Sequence, residues 1–262
     1  MSVAGDLQDK VVLVSGGTQG VGAAVARAAV VAGARVVVTG RRADDGEAAV
    51  GRLRARGGVD ARFLAADVGD VEQARGSVRR TVEELGRVDC LVNAAGLTSR
   101  GTLLDTTPEL FDQHVAVNLR GPFFLMQAAV EDMRRRDEPG TIVNIISMSA
   151  HGGQPYLAPY VAAKAGLVGL TRNAAHAHRW DRIRINGVNI GWTDTDGEDA
   201  VQRAFHGAGD DWREVAGRGL PMGRLGRADD AAALVVLLLS DRSGVVTGAV
   251  LDWDQQVVGA HD

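Results

Sequence analysis

Short apolar runs recur along the chain, beginning near Val11, Val36, Phe63, Cys90, Ile142, Ile185 and Val250. The clearest, Val11-Val12-Leu13-Val14, has no polar alternation, as expected of a parallel strand covered on both faces. Helical stretches separate the runs, the first being the Ala/Val-rich segment Ala23 to Ala32. Strand–helix alternation demands parallel strands joined by right-handed crossovers, with helices on both faces of the sheet. The expected fold is α/β, a doubly wound parallel sheet forming a single domain over residues 1–262. No Pro/Ser-rich linker divides it. One segment stands apart: Asp194 to Arg218 is polar and Gly-rich, carrying Asp196, Glu198, Asp199, Asp210, Asp211 and Glu214.

Two local patterns carry chemistry. The first strand runs into Ser15-Gly16-Gly17-Thr18-Gln19-Gly20-Val21-Gly22 and then a helix. Glycines there tighten the turn, let the backbone approach a pyrophosphate and let the helix pack on the sheet. The helix start adds free N–H groups and the positive end of its dipole. The second pattern is Tyr160 and Lys164, one helical turn apart, with Ser147 upstream at the end of the run Thr141 to Ile146. A free phenol titrates near pH ~10, too high for acid–base work at neutrality. A lysine on the same helix face favours the phenolate, so the spacing predicts a lowered tyrosine pKa. Taken alone, this spacing reads first as an exposed aromatic–lysine pair, and the rest of the chain decides otherwise.

Together these residues resemble the short-chain dehydrogenase/reductase family over nearly the whole length. The loop spacing Gly16-x-x-x-Gly20-x-Gly22 is the one that family uses. The resemblance implies a Rossmann-type sheet of about seven strands in the order 3-2-1-4-5-6-7. It assigns Gly16, Thr18, Gln19, Gly20, Val21 and Gly22 to a nicotinamide dinucleotide, with Asp67 and Val68 beside the adenine. Asn93-Ala94-Ala95-Gly96 matches the family's Asn-Asn-Ala-Gly element with Ala in place of one Asn, adding Asn93, Ala94 and Gly96. Gly191, Thr193 and Thr195 fall in the segment beside the nicotinamide, where Ile190 replaces the family's proline. Ser147, Tyr160 and Lys164 become catalytic, Tyr160 and Lys164 also touching the cofactor, and Asn118 matches the asparagine that holds a relay water. The segment from Asp194 to Arg218 corresponds to a substrate lid, although a solvated surface loop reads the same way. Leu97, Thr98, Ser99, Met148, His151, Gln154, Tyr156 and Trp192 would line the substrate site. That mixed lining leans towards a small hydroxylated carbonyl or alcohol.

Family members that prefer NAD place an acid at the end of the second strand, where it binds the adenine-ribose 2′-hydroxyl. Here that position is Gly40, followed by Arg41 and Arg42, which suit a 2′-phosphate. NADP(H) is therefore expected over NAD(H), although Gln19 is not the basic loop residue some NADP-using relatives carry. The family also implies a homotetramer built on helices at about Pro108 to Arg135 and Pro159 to His178. Trp253, Val257 and Val258 near the carboxyl end suit burial against another subunit or against the same domain.

Composition narrows the field further. The net charge of −4 shows no basic excess, against a nucleic-acid partner. Cys90 is the sole cysteine, which excludes an intrachain disulfide and suits the reducing cytoplasm. Met1 to Asp6 lacks the pattern of a signal peptide, and Leu234 to Leu239 is far too short to span a membrane. No metal is expected: His176 and His178 point to different helix faces, His114 and His206 stand alone, and His261 is in the tail. Two other functions use the same parts, a non-catalytic dinucleotide sensor and an epimerase or dehydratase working through the same tyrosine.

Overall fold

The computed structural model describes residues 5–57 and 60–260, so His261 and the first four residues lie outside the described residues. The apolar runs form β1 (Val11–Ser15), β2 (Arg35–Gly40), β3 (Arg62–Ala65), β4 (Cys90–Asn93), β5 (Gly140–Ile145) and β6 (Ile183–Ile190). Two short strands follow, β7 (Thr193–Asp194) and β8 (Gly226–Arg227), and then β9 (Val250–Trp253). The main sheet is seven-stranded in the order β3-β2-β1-β4-β5-β6-β9, and every pairing is parallel. This is the Rossmann-type order expected, with β9 filling the seventh place. β7 and β8 pair separately.

The helices are α1 (Gly20–Val31), α2 (Ala43–Gly57), α3 (Val71–Leu85), α4 (Pro108–Val115), α5 (Gly121–Arg136), α6 (Ala158–His178), α7 (Asp196–His206), α8 (Trp212–Arg218) and α9 (Ala228–Leu239). They cover both faces of the sheet. One core joins α1, α2 and α9 to residues such as Val12, Val36 and Val188; the other joins α3, α5 and α6 to Leu13, Leu91 and Ile142. Alternate strand residues thus feed opposite cores, which is why these strands read as continuous apolar runs. The order reverses between β1 and β4, opening a crevice at the strands' carboxyl ends.

One expectation needs correction. The stretch Pro108 to Arg135 is not one helix, because a π turn at Ala116–Arg120 separates α4 from α5. Trp253 packs against its own domain's core and over Gly226, one of the two placements expected, and Val257 and Val258 are exposed in the single chain. Cys90 is buried, and burial pushes its thiol up to about 11.

Candidate active site

A cleft of about 1490 Å³ follows the crevice. The glycine loop forms one wall. Gly16 has φ +73°, and a Cβ there would sit 2.6 Å from the backbone of Ala95. A Cβ on Gly22 would sit 2.2 Å from the Gly16 carbonyl. These two positions admit glycine alone, and they draw β1's exit against β4's. Gln19 precedes α1 in extended conformation and makes no side-chain cap, leaving the first-turn N–H groups without a side-chain partner. A tight backbone cradle with an uncapped helix start beside a cleft fits a pyrophosphate. Thr18, Gln19, Gly20 and Val21 line the same wall.

The end of the cleft expected to take the adenine is built from the tips of β2 and β3. Gly40, Arg41, Arg42, Asp67 and Val68 line it. A Cβ on Gly40 would lie 2.9 Å from Thr18 Cγ2, so Thr18 stands where a longer side chain would begin. Arg42 is paired with Asp45, also on the cleft, which leaves Arg41 as the less committed cation. Asp67 Oδ1 accepts from the Gly69 N–H at 2.9 Å.

Of the Asn93-Ala94-Ala95-Gly96 element, Ala94 and Gly96 reach the cleft but Asn93 does not. Asn93 is buried, and its Nδ2 donates to Asn144 Oδ1 at 2.7 Å. Asn144 Nδ2 donates in turn to Thr171 Oγ1 at 2.8 Å. This polar chain fastens α6 to β4 and β5 from beneath. Asn93 is thus a positioning residue for the helix that carries Tyr160 and Lys164.

Ser147 follows β5 and caps the 3-10 turn Met148–His151, its Oγ accepting from the Ser149 N–H at 3.1 Å. Tyr160 and Lys164 rise from the first turns of α6, and all three line the cleft. Lys164 Nζ donates to the Ile145 carbonyl at 2.9 Å and lies 5.7 Å from the Tyr160 ring centroid. The expected lowering of the tyrosine pKa is not what this environment produces. Burial raises Tyr160 above its usual value, against a hydrogen bond with Ser147 that lowers it; Glu198 raises it further and Arg100 lowers it. The same burial brings Lys164 down to about 8. Desolvation disfavours both charged forms, and its size is invisible in a spacing of four residues.

Asn118 lies in the π turn and is fully buried. Its Oδ1 accepts from the Leu97 N–H at 3.0 Å, while Nδ2 donates to the Leu97 carbonyl at 3.0 Å and lies 3.2 Å from His114 Nδ1. The side chain is therefore committed to the loop after β4. Its backbone carbonyl is a different matter, since Pro122, four residues on, has no N–H to offer it. π turns of this kind are frequent at functional sites.

Met148, His151, Gln154, Tyr156 and Trp192 all line the cleft, as do Leu97 and Thr98, but Ser99 does not. His151 is only partly available, because its Nε2 lies 2.9 Å from Asp252 Oδ1. Burial pushes the Asp252 carboxyl up, and hydrogen bonds from His151 and Asn189 more than offset this. Trp192 Nε1 donates to Glu198 Oε1 at 2.7 Å, and the ring stacks on Trp212. Gly191 and Thr193 reach the cleft; Thr195 does too, while its hydroxyl caps α7. A Cβ on Gly191 would lie 2.2 Å from Asp254 Oδ1. Ile190 completes β6 by pairing with Trp253, so the strand runs on where the family has proline.

Arg100 is among the lining residues that escaped the sequence reading, and of the lid segment Glu198 and His206 reach the cleft. Nor do His114 and His206 stand alone. His114 sits between Ser99 and Asn118, and His206 Nε2 lies 3.3 Å from Arg100 Nη2. The Arg100–His206 pairing joins segments far apart in the chain and leaves no local pattern.

Known proteins agree with this geometry. The family model described as enoyl-(acyl carrier protein) reductase matches residues 16–255. An L-rhamnose 1-dehydrogenase (NAD(P)(+)) from Azotobacter vinelandii is 37% identical over 250 residues, 94% of this chain and 95% of that protein. A 3-oxoacyl-[acyl-carrier-protein] reductase from Staphylococcus aureus is 32% identical over 243 residues, covering 92% and 95%. The crystal structure of a short-chain type dehydrogenase/reductase from Mycobacterium marinum superposes with a TM-score of 0.89 at 29% identity, covering 99% of this chain and 98% of that one. With the glycine cradle, the sheet order and these relatives in agreement, the chain belongs to the short-chain dehydrogenase/reductase family, NAD(P)(H)-dependent oxidoreductases of alcohol and carbonyl groups.

Proposed function

We propose that this protein interconverts a small hydroxylated carbonyl compound and the corresponding alcohol with NADP(H), using Tyr160 as the acid and base. The observation that carries the reading is one cleft lined both by Ser147, Tyr160 and Lys164 and by a glycine cradle at an uncapped helix start. The dinucleotide, held by the loop Gly16 to Gly22 and by Arg41, would supply or accept the hydride at the substrate carbon. The chain's own task is the proton. Burial keeps Tyr160 a phenol at neutral pH, the form needed to donate to a developing alkoxide. Ser147 offers a second donor to that oxygen as charge grows. Lys164 provides the cation behind the tyrosine, and the Asn118 carbonyl a point at which water can pass the proton onward.

NADP(H) preference rests on the absence of any acid at Gly40 and on Arg41 at the cleft edge. Helices α7 and α8 act as a lid over residues 194–218, since Glu198 and His206 of α7 already line the cleft. The protein works as a homotetramer, assembled partly through α6, where Ala162, Ala165 and Gly169 are exposed on one helix face. Small side chains there let a second helix approach. A lone, buried cysteine suits a cytoplasmic enzyme. The test is NADPH oxidation with a panel of small hydroxylated aldehydes and ketones. Cofactor binding with no turnover of any carbonyl would leave a sensor rather than an enzyme, and light scattering showing only monomer would remove the tetramer.

A further inference from the structure

Arg100 is an unbalanced charge on the substrate side of the cleft. It is half-buried, and among the described residues no carboxylate pairs with it. Its position is fixed by the backbone: the Gly101 N–H donates to the Tyr156 carbonyl at 3.0 Å, and the Ala158 N–H to the Gly101 carbonyl at 2.9 Å. This bridge ties the loop after β4 to the start of α6 and sets Arg100 beside Tyr156, one helical turn before Tyr160. The guanidinium is flanked by rings, with Tyr156 at 5.2 Å and Phe205 of α7 at 5.5 Å. One N–H donates to the Thr98 carbonyl at 3.0 Å and another faces His206 Nε2 at 3.3 Å. Nε is buried with no partner.

A guanidinium has five in-plane donors, so rings over its faces leave the unused ones at its edge. A half-buried cation without a counter-charge is costly, and a neutral imidazole does not offset it. The carboxylate of Glu198, on the same cleft, is held instead by Trp192 Nε1 at 2.7 Å and Gln202 Nε2 at 2.8 Å. We infer that Arg100 receives a carboxylate of the substrate, so that the substrate class is a small hydroxy acid and its oxo acid. This rests on the oxidoreductase reading above and narrows it. Because Phe205 and His206 belong to α7, the acid also meets a site that the lid completes.

The test has two arms. In the first, kcat/KM is measured for small oxo acids and for their methyl esters, acetoacetate against methyl acetoacetate among them. The wild type should favour the acid, and Arg100→Met should reduce the acid-to-ester ratio by roughly 10- to 100-fold through KM, the loss expected of a charged hydrogen-bonded pair. Arg100→Lys, which keeps charge but not the fork, should fall between. In the second arm, malonate and neutral malonamide are titrated by calorimetry into the enzyme saturated with NADPH. Malonate alone should bind, and Arg100→Met should lose it while cofactor affinity reports that the variant is folded; if it is not, Arg100→Lys carries the comparison. Equal use of acid and ester, with no malonate binding, overturns the inference while leaving the oxidoreductase intact. Malonate binding without any turnover leaves the anion site standing and removes the reaction.

Discussion

His114 Nδ1 lies 3.2 Å from Asn118 Nδ2, one helical turn further along, and the amide's two N–H groups are shared between His114 and the Leu97 carbonyl. An amide N–H must donate, so this histidine nitrogen must accept. The other ring nitrogen, Nε2, lies 3.1 Å from the Ser99 carbonyl and carries the proton. His114 is thereby held neutral, and burial lowers its pKa from the ordinary value of 6.5. In the unfolded chain it takes up a proton at higher pH than in the fold. Stability should therefore fall as pH drops below about 6.5. His114→Gln should flatten that acid limb in urea melts; an unchanged limb would show that other groups set it.

Tyr160→Phe removes one oxygen and leaves the ring that packs edge-on against His114. Turnover should fall by about 10²- to 10⁴-fold, the range for losing a general acid. Cofactor affinity should change little. Near wild-type activity would take the proton from Tyr160 and give it to another group.

Lys164 presents a pH signature of the opposite sense to a surface lysine. Its pKa falls from 10.5 to about 8 in the fold. Between those values the unfolded chain holds more protons, so this residue's contribution to stability rises with pH from about 8 to 10.5 and is absent from Lys164→Met. The melting temperature of Lys164→Met relative to wild type should be highest near neutrality and decline above pH 8. A difference that does not move with pH would place the lysine in water.

Cofactor choice can be read from dissociation constants alone. Arg41→Ala should weaken NADPH by roughly 10- to 100-fold and NADH far less, as expected for loss of a charged phosphate contact. Gly40→Asp should turn the preference towards NADH, with Thr18 moving aside to admit it. Tighter binding of NADH than NADPH by the wild type would show that Arg42, tied to Asp45, and its neighbour do not hold a phosphate.

The strands and the glycine loop were legible in the sequence because both are local. A run such as Val11 to Val14 and the spacing of Gly16, Gly20 and Gly22 are complete within a few residues. Tyr160 and Lys164 were legible for the same reason, yet their ionisation was misread, since desolvation depends on everything packed around them. That the Asn93 side chain faces Asn144 was not legible, because a strand-end asparagine looks the same whether or not it faces the crevice. The pairs Arg100–His206 and His151–Asp252 bring together residues about a hundred positions apart, separations printed in no motif.

Helix α7 has no buried residue of its own and is stitched down by charge: Asp199 accepts from Arg203, Trp212 and Arg213, and Arg213 also holds Asp194. Attachments of that kind weaken as dissolved ions screen them, whereas the apolar cores beneath do not. Ionic strength should therefore act on this protein as a selective lubricant. On the lid proposed for α7, added sodium chloride should loosen this helix, read as faster amide exchange over residues 196–206, long before it disturbs the sheet.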